Sequence, residues 1–184
     1  MNPENVHYLN MFLGVGSIIL QIFSVVALFL LFFGPKKNQF LDFIDKHFLP
    51  LGLFISVSAA IFSLLYSEVI NYAACYLCWW ARIFMYPQVV LFGVALWDKD
   101  RKVIKYALPL LSVGVLVSAY HNLNYYFAET SNLPCDASGV SCYQQLVSEF
   151  GGYISIPMLS LTSVFAMLTL VVVSHFYRKN NSIF

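Results

Sequence analysis

Along the chain, hydrophobic positions gather into five long runs separated by short polar connectors. Leu9–Phe33 contains no charged residue, and Phe48–Ser67 is a second uncharged run. Tyr76–Trp97 is a third, interrupted only by Arg82; Tyr106–Phe127 carries His121; Tyr153–Tyr177 carries His175 near its end. A helix crosses about 30 Å of hydrocarbon in roughly 17–25 residues, and each run meets that length. The runs are apolar all round, whereas barrel strands alternate. The pattern therefore predicts an all-α, polytopic membrane helical bundle. We read residues 1–184 as one integral membrane domain with spans over 9–33, 48–67, 76–97, 106–127 and 153–177, and an outer loop over 128–152.

Composition sharpens this picture. Of 184 residues, 60% are hydrophobic and 10% charged, against about 25% charged in a soluble domain. A net charge of +1 carries no sign of nucleic-acid binding. The first run does not read as a cleaved signal peptide, because MNPENVHY before it lacks Lys and Arg and no small-residue cleavage site follows. Basic residues instead sort by connector. Lys36, Lys37 and Lys46 lie between runs one and two, Lys99, Arg101, Lys102 and Lys105 between three and four, and Arg178 and Lys179 follow run five. Positive residues favour the cytoplasmic side, so the expected topology is N-out, C-in with five crossings. Arg82 alone departs from it.

That topology puts Cys75, Cys78, Cys135 and Cys142 on the outer side, where disulfides persist. In CYLCWWARIFMYP (75–87), Cys75 and Cys78 share a helical face at the N-terminus of span three. The macrodipole and free N–H groups there favour a thiolate. Arg82 follows one turn deeper on that face, about 6 Å along the axis, where its charge would steady a second thiolate or a developing anion. The plain alternative is that Arg82 snorkels to the interface. Trp79 and Trp80 read first as an interfacial aromatic belt. A zinc site completed by Cys135 and Cys142 is disfavoured, because that pair is spaced C-x6-C and no histidine stands beside either pair in the sequence. A haem-attachment motif is excluded by Trp79, where a histidine is required.

Cys135 and Cys142 sit in SNLPCDASGVSCYQQ (131–145), whose turn formers Pro134, Asp136, Ser138 and Gly139 allow a small disulfide-closed ring. A short ring is a weak staple, and an exposed disulfide suits exchange with another protein. In CYQQLVSEF, Tyr143, Leu146, Val147 and Phe150 form an apolar stripe that predicts a short helix, either lying on the membrane interface or packed as a loop helix.

Taken with CDASGVSCYQQLVSEFGGYISIPMLSL, the CYLCWWARIFMYP motif resembles the DsbB/BdbC family of bacterial disulfide-forming membrane proteins, most of all the BdbC-like branch. The resemblance covers residues 48–177, and the ending Phe150-Gly151-Gly152-Tyr153-Ile154-Ser155-Ile156-Pro157 differs by an extra glycine. The loop pair following the CxxC separates the chain from the vitamin K epoxide reductase family. The family core is a four-helix bundle, so residues 9–33 would be an extra N-terminal transmembrane helix.

The resemblance implies a protein-dithiol:quinone oxidoreductase in the bacterial cytoplasmic membrane. Its cofactor would be a quinone, ubiquinone or menaquinone, and its partner a thioredoxin-like extracytoplasmic disulfide oxidase. Cys135 would form the mixed disulfide with that partner, and Cys142 would relay to Cys75. Cys78 would face the quinone, with Arg82 supporting it. By its position in the sequence, His121 begins the last outer connector and is a candidate for proton transfer to the quinone, or for an ordinary interfacial hydrogen bond. A stapled receptor subunit and a reductase running in the reverse direction are the competing readings. His175 is expected to be inert. Pro87, Pro109 and Pro157 are expected to bend helices or be tolerated as kinks.

Overall fold

The computed structural model describes residues 3–35, 37–127 and 146–181. It contains α1 (Pro3–Phe33), α2 (Gln39–Leu64) running into a π-helical turn (Leu65–Val69), α3 (Tyr76–Asp98), α4 (Val103–Phe127) and α5 (Ile156–Asn181). All five helices are long and apolar enough to cross a membrane, and the chain is a multi-pass helical membrane protein. The only β feature among the described residues is an isolated bridge between Glu149 and Ile154.

The bundle is organised around α5, which touches each of the other four helices. One core cluster joins α2, α3, α4 and α5 through Phe48, Phe92, Leu111, Val164 and Met167. A second, built from Ala27, Leu41, Ile44, Leu170 and Val173, fastens the far half of α1 to α2 and α5. Elsewhere α1 leans on α5 and barely meets α2. Lipid gives no hydrophobic drive between helices, so small residues that permit close backbone approach matter. A Cβ on Gly52 would lie 2.6 Å from the Phe92 ring, and one on Gly114 3.0 Å from Cβ of Phe84.

The helix ends follow local chemistry. Asn38 caps α2, its side-chain oxygen accepting a hydrogen bond from the Phe40 N–H at 2.9 Å. Hence α2 begins at Gln39, nine residues before the apolar run at Phe48. Its first turns bury Leu41, Ile44 and Phe48 and expose Asp42 and Lys46. Helix α1 likewise starts at Pro3 rather than Leu9. In contrast, α5 starts at Ile156 rather than Tyr153, because Phe150, Gly151 and Gly152 take positive φ angles of 53°, 70° and 89°. Glycine adopts such angles without cost, and Pro157 fits a first helical turn. Pro50, Pro87 and Pro109 lie inside α2, α3 and α4.

The expected helix through Tyr143–Phe150 is corrected for its described part. Residues 146–150 are not helical. Tyr125 donates from its hydroxyl to the Val147 carbonyl at 3.2 Å. Glu149 and Ile154 exchange backbone hydrogen bonds of 3.1 Å. These partners occupy backbone groups that a helix would need. Tyr143 lies outside the described residues.

At the lysine-rich end, Asp45 gathers three segments. Arg101, between α3 and α4, pairs with its carboxylate at 3.0 Å and donates to its backbone carbonyl. Ser174 of α5 donates to the same carboxylate at 2.8 Å.

Candidate functional site

At the opposite end, Cys75 is the N-cap of α3, and its Sγ accepts the Cys78 N–H at 3.3 Å. One turn later the chain returns Cys78, and the two sulfurs lie 2.8 Å apart as free cysteines. The local sequence explains the approach. An N-cap and the third residue after it face each other across the first turn, so CxxC at a helix start places both sulfurs together. Cys75 is 3% exposed, while Cys78 is only partly buried.

From α4, His121 reaches the pair with its Nε2 3.8 Å from Cys75 Sγ. It is 3% exposed, embedded in the helix rather than marking a connector. Cys75 precedes the first membrane-spanning residue of α3, and its thiol is held well below the usual thiol range. The hydrogen bond from the Cys78 thiol is the main cause; His121 and the Cys78 N–H add to it, against burial. Donor atoms of Cys75, Cys78 and His121 all lie within 4.8 Å of one another. The absence of a neighbouring histidine therefore holds only along the sequence; the fold supplies one. Three such donors are one short of a closed tetrahedral zinc site.

Arg82 does not snorkel. It is 9% exposed, and its Nε and Nη2 donate to the Ser63 hydroxyl and carbonyl oxygens at 3.1 and 3.2 Å. Tyr86 donates to the same Ser63 hydroxyl at 3.2 Å. Trp79 has its ring 5.2 Å from the guanidinium carbon, a cation–π contact. It is 57% exposed, so one side chain serves as both outward aromatic and arginine platform. A guanidinium buried at this depth requires such partners.

Ser63, Cys75, Cys78, Arg82 and His121 line a partly open cavity of about 570 Å³ bordered by α1, α2, α3, α5 and the tip of α4. Cys75, Cys78, Arg82, His121 and Tyr66 occupy one end, and apolar side chains with a few serines line the rest. Tyr66 lies in the π-helical turn, stacks on Tyr72 with centroids 6.0 Å apart, and donates to Asn10 of α1 at 2.6 Å. Single π turns recur at functional sites. Ser63, Tyr66 and Asn10 went unnoticed in the sequence; a serine or tyrosine in an apolar run is an ordinary occurrence, and each partner is far away in the chain. Cys135 and Cys142 lie outside the described residues, and His175 lies on α5 away from the cavity.

A multi-pass helical protein whose helix-capping CxxC favours a thiolate and opens on an apolar cavity belongs to the membrane thiol–disulfide oxidoreductases. The profile described as "Disulfide bond formation protein DsbB" matches residues 45–175, and the chain belongs to that family. "Probable disulfide formation protein C 2" of Bacillus anthracis is 35% identical over 138 residues, covering 75% of this chain and 97% of the relative. "Disulfide bond formation protein C" of Bacillus subtilis (strain 168) is 37% identical over 114 residues, 62% of this chain and 82% of the relative. A "Probable disulfide formation protein" of Oceanobacillus iheyensis is 45% identical over 102 residues, covering 53% and 68% respectively. No solved structure matches the chain.

Proposed function

We propose that this membrane disulfide oxidoreductase reoxidises a thioredoxin-like disulfide oxidase outside the bacterial cytoplasmic membrane and delivers the electrons to a membrane quinone, ubiquinone or menaquinone. The observation that carries the reading is the shared cavity wall: a helix-capping dithiol, a buried guanidinium and a lipid-depth apolar space in continuity. The residues fit a quinone. Apolar walls suit its ring and tail, and Arg82 and His121 in the same lining would be the donors available to its carbonyl oxygens. Ser160, also in the lining, has a hydroxyl oxygen with no partner among the described residues.

Electron flow balances in two exchanges and one oxidation. The partner's dithiol becomes a disulfide as the Cys135–Cys142 disulfide opens, Cys135 carrying the transient mixed disulfide. Cys142 then passes the pair of electrons to a Cys75–Cys78 disulfide. When the resulting dithiol closes again, a sulfur–sulfur bond forms and two electrons and two protons leave it. A bound quinone supplies the two-electron sink of high potential that soluble thiol buffers lack. Cys78, more accessible than Cys75, is the sulfur that would face it. Arg82 is already oriented by Ser63 and Tyr86, so it steadies the negative charge built up at Cys78 without reorganising. His121, with Nε2 3.8 Å from Cys75 Sγ, would take up the proton that Cys75 gives up.

The deciding experiment mixes detergent-purified protein with a reduced thioredoxin-like oxidase and a soluble quinone. One quinone should be reduced per partner disulfide formed. Cys78→Ser should stop quinone reduction, and Cys135→Ala should prevent a trapped mixed disulfide. Retained quinone reduction in the Cys78 variant removes that sulfur from the scheme.

A further inference from the structure

The proposed reaction uses only one end of the cavity. Its lining continues from Tyr66 in the π-helical turn along α2 to Leu51, and along α1 from Phe12 to Phe23. Fifteen residues of helix amount to about 22 Å, far longer than a ring beside Cys78 requires. The added length is walled by α1, which precedes residue 45, where the family match begins. That helix is positioned by named bonds. Ser17 and Gln21 donate to the Thr162 hydroxyl of α5 at 3.0 and 2.8 Å, and Asn10 accepts from Tyr66. Toward α2, however, α1 makes few contacts, and Phe12 and Phe54 at the lip are 70% and 71% exposed. Gly16 completes this wall, and a Cβ built there meets nothing within 4 Å.

We propose that α1 is a specificity element: with α2 it forms a lateral slot that admits from the bilayer, and holds, the isoprenoid tail of a quinone whose ring lies by Cys78 and Arg82. The inference rests on the quinone reading above. The occupant follows from the lining. A peptide would bring unsatisfied backbone groups into an apolar channel, and a polar chain would lose its hydration uncompensated. A long hydrocarbon chain meets neither cost and reaches the redox end through one continuous space.

The test is binding, without turnover, to the full-length protein in nanodiscs, read by quenching of tryptophan fluorescence. The probes are two quinones with the same ring, one with several isoprene units and one without a tail. With concentrations counted per lipid, so that partition into the bilayer cancels, packing of the tail against α1 and α2 should give the tailed quinone an advantage of about threefold or more on the wild type. Gly16→Phe should abolish that advantage and leave tailless affinity within about twofold. Ser58→Phe should do the same from α2, with an unchanged melting temperature showing the fold intact. Equal wild-type affinity for both probes, or an advantage that survives both substitutions, overturns the slot and leaves the quinone reading standing. Displacement of the tailed probe by a hydrocarbon chain of equal length without a quinone ring, at matching concentration per lipid, assigns the slot to acyl chains in general and overturns it too. A wild type that binds neither probe removes the quinone reading, and the slot with it.

Discussion

Cys75 combines three influences on one sulfur: a helix N-terminus, a partner thiol and a buried imidazole. The hydrogen bond from the Cys78 thiol, with His121 beside it, holds its folded pKa below the unfolded one. The thiolate therefore stabilises the reduced fold fully above the unfolded value, and that stabilisation drains away as pH falls through the lowered folded value. Reduced protein should thus show ultraviolet thiolate absorbance persisting below the pH range of an ordinary thiol. Its melting temperature should fall on acidification across this window more than that of Cys75→Ser. At Arg82, the expected outcome of Arg82→Met is a loss in quinone reduction on the order of a hundredfold, with partner exchange retained; an absent or unfolded variant would instead make the arginine structural. The spacing of Cys75, Cys78 and Arg82 was legible because one helix carries all three. Ser63, His121 and Asn10 join them only through tertiary contacts, which helical periodicity does not encode.

Among elements, α3 and α4 match the apolar runs within three residues at each end, because their boundaries coincide with the change from apolar to charged sequence. Helix α2 does not, since its first turns are amphipathic and capped by Asn38, which a hydropathy criterion passes over. Turn chemistry also defeated the short loop helix: an apolar stripe was present, but Gly151 and Gly152 and the Glu149–Ile154 bridge claimed the backbone. Helix contact itself gives a sharp test. At Gly52 an added methyl group would press into Phe92, so Gly52→Ala should destabilise the bundle by about 1–3 kcal/mol, measured by chemical denaturation in micelles. Gly93→Ala, whose Cβ would find only Leu53 at 3.8 Å, should be nearly neutral.

For the molecule as a whole, the distribution of lysine and arginine carries an orientation that the bundle alone does not. If the N-out reading holds, a membrane-impermeant maleimide applied to intact, pre-reduced cells should label Cys135 and Cys142. A cysteine introduced at Lys102 should react only after the membrane is opened. Labelling of the Lys102 position in intact cells would invert the topology.

The Asp45 knot has a mechanical corollary. Arg101 and Ser174 join it to two other segments, whereas at the opposite end Asn10 and Tyr66 supply the one side-chain hydrogen bond between α1 and the α2 rod among the described residues. At that charged end the packing of Ala27 with Leu41 and Ile44 grips α1 against α2, while the opposite tips meet through that one bond, as in tweezers. Parting α1 from α2 forfeits about 1 kcal/mol of hydrogen bonding and leaves the grip intact, so a bulky guest can be exchanged without dismantling the protein around it.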